Sequence, residues 1–425
     1  MSRQAKGDWE MPVSLPLVSI IVSNYNYGAF LRDAVESSLA QTYPNCECIV
    51  VDDCSTDDSP SVLEQLASEQ PEVKIVALQK NAGQSGVVIE GLKKASGNYV
   101  LMLDADDLLL PECVAYHVAL HLSTRRPVGF SCCNALQIVD KNIVTTQAYP
   151  FGISFPTFPI DANLLRSIDD NELVLSKFKF PAIRSEDVRH IPATFNGPWP
   201  WATTSCMFFR RDALDLISGA QEFQTIRICT DNYVARCINM LTGSVLLDKC
   251  LVAYRLHGSN NFVRRPPLDN LINFHRSEES SKLTYRVFLN DLISRFGHYY
   301  ACFFGPERLV EIAEMMDSDP FLGESRLPSL LRQNRESLES ELGAEFVENW
   351  INRLESSEEI LAPVEGADME TPAPIEEEPS GFAAKMPWRL ELEYAKFLCT
   401  IGLRKDGSFL WEHANRRRNA AEKPA

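Results

Sequence analysis

The sequence has no run of 18 apolar residues, no Cys-x-x-Cys pair and no surplus of positive charge. The first absence leaves no segment able to cross a bilayer as a helix. Twelve cysteines are present, but scattered, with Cys46 and Cys48 flanking Glu47 and Cys132–Cys133 inside an apolar run. Those are strand positions, where a buried thiol is the ordinary reading, so a reduced cytosolic compartment fits better than a disulfide framework. The formal net charge is −17. A chain that acidic lacks the basic footprint that nucleic acid demands. An anionic ligand would need a local cation, such as a metal ion, because the overall field repels it. The opening "MSRQAKGDWEMP" has no apolar core of the kind a secretion signal carries. No internal repeat is visible.

What is present is ordinary for a globular protein: 45% apolar and 23% charged residues in 425, enough for two or three domains. From about Ser14 to Gly129, strand-like and helix-like stretches alternate. "LVSIIVS" is a short apolar run, followed by a turn at "NYNYG" and by "FLRDAVESSLAQT", with Leu31, Val35 and Leu39 at helical spacing. "CECIVV", "VKIVAL" and "YVLML" are three further strands. Ser59-Pro60 opens a helix as N-cap and first-turn proline, and "GVVIEGLKKASG" reads as a helix closed by Gly97. The alternation predicts an α/β fold with a mostly parallel sheet and helices on both faces.

Beyond it the pattern is less regular. "VGFSCCNALQIVD" predicts a strand, Asp140-Lys141-Asn142 a turn, "WATTSCMFF" a strand, "DNYVARCINMLTG" a helix with Val234, Ile238 and Leu241 on one face, and "SVLLDKCLVAYRLHG" another strand. The expected divisions are a tail at 1–13, an α/β domain at 14–264, a helical extension at 265–354, an acidic, proline-rich disordered linker at 355–384, and an apolar, aromatic and basic segment at 385–425. That last segment suits a membrane surface, a protein partner or its own helical domain.

In an open α/β sheet, ligands bind beyond the carboxyl ends of the strands. Ser23-Asn24-Tyr25-Asn26, Asp52-Asp53, Asn81-Ala82-Gly83 and Asp104-Ala105-Asp106-Asp107 each follow one of the four strands, so all fall at one edge. Carboxylates as dense as those of "YVLMLDADDLLLP" repel one another, and a hard divalent cation bridging them to phosphate would relieve that. The plainer alternatives are turns, helix caps and a solvated loop. The segment lacks the glycine and glutamate of an EF-hand, and "QSG" at 84–86 lacks the Gly-Lys-Ser/Thr of a phosphate loop. His117 and His121 are a turn apart, but Val118 stands where a metalloprotease needs Glu, so both read as surface or packing residues.

The stretch "VSIIVSNYNYGAFLRDAVESSLAQTYPNCECIVVDDCSTDDS", continued by "NAGQSG" and "GNYVLMLDADDLLLP", resembles the opening of family 2 glycosyltransferases, and the likeness extends over roughly 17–260. The resemblance implies the GT-A nucleotide-diphospho-sugar transferase fold, a Rossmann-like sheet, here with a C-terminal helical extension. It implies nucleotide contacts at Ser23, Tyr25 and Asp53, and a carboxylate near ribose and metal at Asp104. It further implies Mg²⁺ or Mn²⁺ on Asp106, with His257 completing the metal sphere or touching the diphosphate. "RICTDNYVAR" resembles the segment holding the catalytic base, at Asp231, whose simpler role is a helix cap. "WPWATTSCMFFRRDAL" resembles the acceptor-side strand, where Trp199 and Trp201 would stack on a sugar or pack in the core. The sequence departs from the family at Val88-Ile89-Glu90-Gly91, where relatives carry Ala-Arg-Asn-x-Gly.

The implied activity is metal-dependent, inverting transfer from a nucleotide-sugar, UDP-linked, to a hydroxyl of a glycan or lipid-linked acceptor in cell-surface polysaccharide synthesis. The implied location is cytoplasmic, peripheral at the inner face of the cell membrane. The alternative is an inactive nucleotide-sugar-binding protein acting in a complex. A nucleotidyltransferase would show a glycine-rich, basic loop where "SNYNYG" stands.

Overall fold

A computed structural model describes residues 14–146, 151–166, 178–195, 197, 199–257, 260, 278–295, 300, 305–318 and 325–361. The tail expected at 1–13, the expected linker from 362 onward and the whole of the 385–425 segment lie outside the described residues.

The alternation of the first hundred residues folds as its periodicity predicts. β1 (Val18–Asn24), β2 (Cys46–Asp52), β3 (Lys74–Ala77) and β4 (Tyr99–Asp104) pair in parallel in the order β3-β2-β1-β4. β1 is buried nearly throughout, as a continuous apolar run between two neighbours must be. Helix α1 (Gly28–Leu39) buries Leu31 and Val35, and α2 (Ser59–Glu69) buries Leu63 and Leu66. In α3 (Gly83–Lys94), Gly91 lets the helix close on β1, since a Cβ there would stand 2.7 Å from Ile21 Cγ2.

Two helix ends differ from expectation. The first-turn amide of α2 is capped from outside: Asp57 accepts from Ser59 N at 3.0 Å and, with its other oxygen, from Gly28 N at 2.9 Å. One carboxylate thus ties the starts of α1 and α2 together. Helix α3 stops at Lys94 with Ala95 as C-cap, ahead of Gly97. Gly97 instead passes so close to β1 that a Cβ would meet Ser19 N at 2.6 Å.

The second half makes the sheet mixed rather than mostly parallel. β5 (Leu108–Leu109), β6 (Phe130–Val139), β7 (Asn142–Thr145), β8 (Val188–Ile191), β9 (Met207–Arg210) and β10 (Ser244–Leu256) extend the order to β3-β2-β1-β4-β9-β6-β10-β5, with β7 on β6 and β8 on β10. β9 runs antiparallel to both β4 and β6, while β10 and β6 are parallel. The predicted strand "WATTSCMFF" is strand only over its last residues; Thr204–Cys206 form a 3₁₀ turn that swings the chain across the end of β4. Helix α4 (Cys113–Ser123) lies against β6, and α5 (Phe151–Ser154) and α6 (Arg211–Ser218) are short. Helix α7 (Thr230–Thr242) buries Val234, Ile238 and Leu241 as its spacing predicts, but also nearly every other position. The covering element is α8 (Glu278–Ser294): Phe288 meets Tyr233 edge-on, and Asn232 Nδ2 donates to Thr284 Oγ1 at 3.3 Å.

Described helices from 278 to 355 belong to one compact unit with the sheet, so the expected helical extension is continuous with the α/β core. A second unit comprises 196–199 and 356–425, of which few residues are described. No helix among the described residues is long and apolar enough to cross a membrane.

Candidate active site

A cavity of about 370 Å³ opens at the carboxyl ends of β1, β2 and β4, where the sequence placed its polar clusters. Its walls include Ser23, Tyr25, Asp53, Asn81, Asp104 and Asp106 from the first half, and Gln137, Thr204, Arg227, Asp231, Tyr254 and Asn260 from the second. The parallel register explains the first set: Ser23 lies opposite both Val51 and Asp104, so consecutive strands end level. Tyr25 is 47% exposed, an aromatic face at the rim. Asp52, beside Asp53, is turned to structure: it accepts from Asn24 Nδ2 and from Ser55 Oγ, each at 2.6 Å.

Asp53 grips the start of α3. Its oxygens accept from Ala82 N at 2.6 Å and Gly83 N at 2.9 Å. Gly83 has φ +76°, and a Cβ there would lie 2.8 Å from the Arg227 carbonyl oxygen, so glycine is required at this crossing. Burial pushes the Asp53 carboxyl up, and the two amides and Arg227 pull against it. Each oxygen keeps a lone pair for a further donor.

The three aspartates after β4 meet three different fates. Asp107 is satisfied inside the protein: Ser205 Oγ donates to Oδ2 at 2.7 Å and Arg255 N to Oδ1 at 3.0 Å. Burial, then Asp106 and Asp104, push its carboxyl well above the usual range. Asp104 takes a hydrogen bond from Ser23 Oγ at 3.1 Å. Its carboxyl is pushed up to about 7 by burial and then by Asp106 and Asp231. Asp106 faces His257, whose Nε2 stands 3.0 Å from Oδ2, with Asn260 Nδ2 at 3.4 Å from the same oxygen. The His257 ring is wedged against Phe30 and Tyr27, with centroids 4.7 and 5.5 Å away. Arg255 secures the loop from behind. It donates to the Asp106 carbonyl at 3.0 Å and to Asp33 at 3.1 Å, and lies over Phe30.

This donor set suits a hard divalent cation. Asp106 and His257, in contact at 3.0 Å, would offer such an ion one carboxylate oxygen and one imidazole nitrogen. A cation on that pair would also reverse the push that Asp106 exerts on Asp104. Asp104, Asp106 and His257 do not close into a three-ligand nest. Among the described residues, Cys113–His117–Cys133 is the group whose ligand atoms all lie within 4.8 Å of one another.

On the opposite wall, Asp231 stands in the first turn of α7, after Cys229 in the left-handed region at φ 57°. Its carboxylate accepts from Asn232 N at 2.9 Å and from the Thr204 hydroxyl, while burial raises its pKa. Trp201 does not reach the cavity. It is 1% exposed, its Nε1 donates to Ser244 Oγ at 3.0 Å, and its ring packs on Phe130. The core claims it because an indole buries a large apolar surface and needs one acceptor, which Ser244 supplies. Trp199 falls in the second unit and is half-buried. The structure adds residues that sequence reasoning missed. Tyr27 lay within a quoted motif and could have been flagged there; Gln137 and Thr204 had no signal in their own segments, and Asn260 falls just beyond the quoted strand that ends at Gly258.

Residues 19–179 match the family model described as Glycosyl transferase family 2. An uncharacterized glycosyltransferase of Nostoc sp. is 28% identical over 281 residues, covering 66% of this chain and 77% of that protein. WfaP of Escherichia coli, a UDP-Glc:alpha-D-GlcNAc-diphosphoundecaprenol beta-1,3-glucosyltransferase, is 32% identical over 137 residues, 32% of this chain and 51% of its own length. The chain thus spans about half of that relative. A crystal structure of S. aureus TarS 1-349 in complex with UDP-GlcNAc overlaps with 15% identity and a TM-score of 0.42, covering 79% of this chain and 84% of that one.

Proposed function

This chain is a glycosyltransferase carrying a glycosyl transferase family 2 domain at residues 19–179, and on that premise we propose that its cavity binds a UDP-linked sugar and transfers the sugar, with inversion, to a hydroxyl of a glycan or lipid-linked acceptor. The observation that carries the reading is that one cavity receives Asp53, Asp104, Asp106 and Asp231 from three separate segments, the end of β2, the end of β4 and the first turn of α7.

Tyr25 offers its ring to the base, and Asp53, already holding the α3 amides, has capacity for one more donor such as the uracil N3–H. Ser23 and Asp104, hydrogen-bonded to each other in the cavity wall, would meet the ribose. Asp106 and His257 would hold Mg²⁺ or Mn²⁺, whose chemistry is to offset the charge on the departing diphosphate. Asp231 takes the proton from the attacking acceptor hydroxyl. The new bond from that oxygen to the anomeric carbon forms as the bond to the diphosphate oxygen breaks on the opposite face. Burial raises the basicity of Asp231, which suits a general base, and the Thr204 hydroxyl orients it. WfaP takes its donor as UDP-Glc and its acceptor on a lipid diphosphate, by name; the same classes are proposed here. The basic, aromatic segment at 385–418 would bring the site to lipid-linked acceptors at the inner membrane face.

The test is a panel of UDP-, GDP-, dTDP- and CDP-sugars with Mn²⁺, read as nucleotide release and product stereochemistry. Release from UDP donors that disappears in Asp231→Asn supports the reading. Binding of UDP-sugars with no turnover for any acceptor class would leave the inactive binding protein as the answer. Equal sedimentation of the full chain and of residues 1–380 with anionic vesicles would remove the membrane role of the tail.

A further inference from the structure

Cys113 and His117 sit one turn apart on α4, so their side chains share a face of the helix. Ser131 and Cys133, two apart on β6, share a face of the strand. The two faces meet in the core, where Cys113, His117, Ser131 and Cys133 are all 0% exposed. One ligand atom from each of Cys113, His117 and Cys133 lies within 4.8 Å of the other two. None of the three lines the cavity described above.

We propose that Cys113, His117 and Cys133 bind a zinc ion that pins α4 to β6. The imidazole is the part that packing alone does not explain. Its Nδ1 lies 2.7 Å from Ser131 Oγ, and its ring stacks on Phe208 at 5.0 Å and 10°, so its plane is set from outside. Nε2 is buried and makes no hydrogen bond to any described residue. A buried thiol packs as a small hydrophobe, but a buried ring nitrogen without a partner does not. A zinc-ligating histidine has this arrangement, with one nitrogen on the ion and the other oriented by a second polar group.

Charge and size agree. Two thiolates and a neutral imidazole neutralise a divalent ion, which an apolar core tolerates. Zinc binds a cysteine as its thiolate, so the ion must displace protons to enter. Each S–H bond gives way to an S–Zn bond, the two protons leave to solvent, and no electron is transferred. Around a tetrahedral zinc, sulfur at ~2.3 Å and nitrogen at ~2.0 Å place the ligand atoms ~3.5–3.8 Å apart, a short contraction of the group. Cys206 is a further buried thiol beside Cys133, outside the group of three, and would complete the coordination only by moving toward the ion. It follows Ser205, the residue that bonds Asp107, so the ion would also steady the wall of the sugar-nucleotide site.

The experiment is zinc content by mass spectrometry on the full chain, purified from zinc-supplemented cells and passed over a chelating resin. We expect about one zinc per chain, retained in Asp106→Asn and lost in Cys133→Val and in His117→Gln. Protein from cobalt-grown cells should show a thiolate-to-cobalt charge-transfer band. Wild-type protein holding less than about a tenth of a zinc per chain, with no such band, overturns the proposal whatever the variants do. So does zinc that Asp106→Asn loses and Cys133→Val keeps, because the ion is then at the Asp106–His257 pair.

Discussion

Strands β1, β2 and β4 deliver Ser23, Asp53 and Asp104 to the cavity by repetition: parallel strands in register end level, so the residues at their carboxyl ends arrive at the same edge. The other wall has no such regularity. Asp231 comes from the first turn of a helix, Thr204 from a 3₁₀ turn, Gln137 from the last residues of β6 and Asn260 from beyond the end of β10. The two walls are sewn together by a few bonds, chiefly Ser205 and Arg255 N on Asp107 and the Arg255 guanidinium on Asp106 O. A regular wall can bind a common element such as a nucleotide. An irregular wall can change without disturbing the sheet, which suits the part that meets an acceptor.

Substitutions can separate the walls. The largest effect is expected at the centre of the first. Asp106→Asn should lower transfer by nearly ~10⁴-fold, equivalent to about 5 kcal/mol, and abolish Mn²⁺-dependent tightening of UDP binding, both measurable by transfer assay and calorimetry. Excess chelator on the wild-type protein should give the same phenotype. Next is the second wall: Asp231→Asn should lower kcat by about 10³-fold while leaving the affinity for UDP unchanged. If UDP affinity falls as well, the functional division between the walls is wrong.

A smaller effect sharpens the role of Asp53. Asp53→Ala should weaken UDP binding by about 1.5–3 kcal/mol, by freeing the α3 amides and removing the acceptor for the base. Equal weakening of UDP and CDP assigns the whole loss to the amides of Ala82 and Gly83; a larger loss for UDP assigns part of it to the uracil. The smallest change is expected at the seam. Ser205→Ala leaves the buried Asp107 Oδ2 without its donor and should cost about 1–3 kcal/mol of stability, read from the urea midpoint.

Much of the first wall is legible in the sequence because its information is local. A strand ends where its apolar run ends, and Ser23, Asp53 and Asp104 follow such runs. The second wall is legible only in part. Likeness to a family motif points to Asp231 and His257, whereas Trp201 shows the same aromatic signal as a sugar platform and goes to the core. Cys113 and His117 have helical ligand spacing, but Cys133 lies in another element, and no local pattern joins it to them.

By itself the sequence determined the βα alternation, the helix faces of α1 and α2, the turn at Asp140 and the edge at which the carboxylates gather. Each depends on residues within a few positions of one another, where periodicity and turn chemistry act directly. Only the tertiary structure decided that β9 inserts antiparallel between β4 and β6, and that Asp107 is spent on Ser205 and Arg255 while Asp106 faces His257 across 151 residues. The structure also set the Cys113–His117–Cys133 cluster, closed between a helix and a strand. Those outcomes turn on which buried polar group finds a partner. Among three adjacent aspartates the answer depends on side chains far away in the chain, because in a low-dielectric interior each must be satisfied by whatever the fold brings within reach.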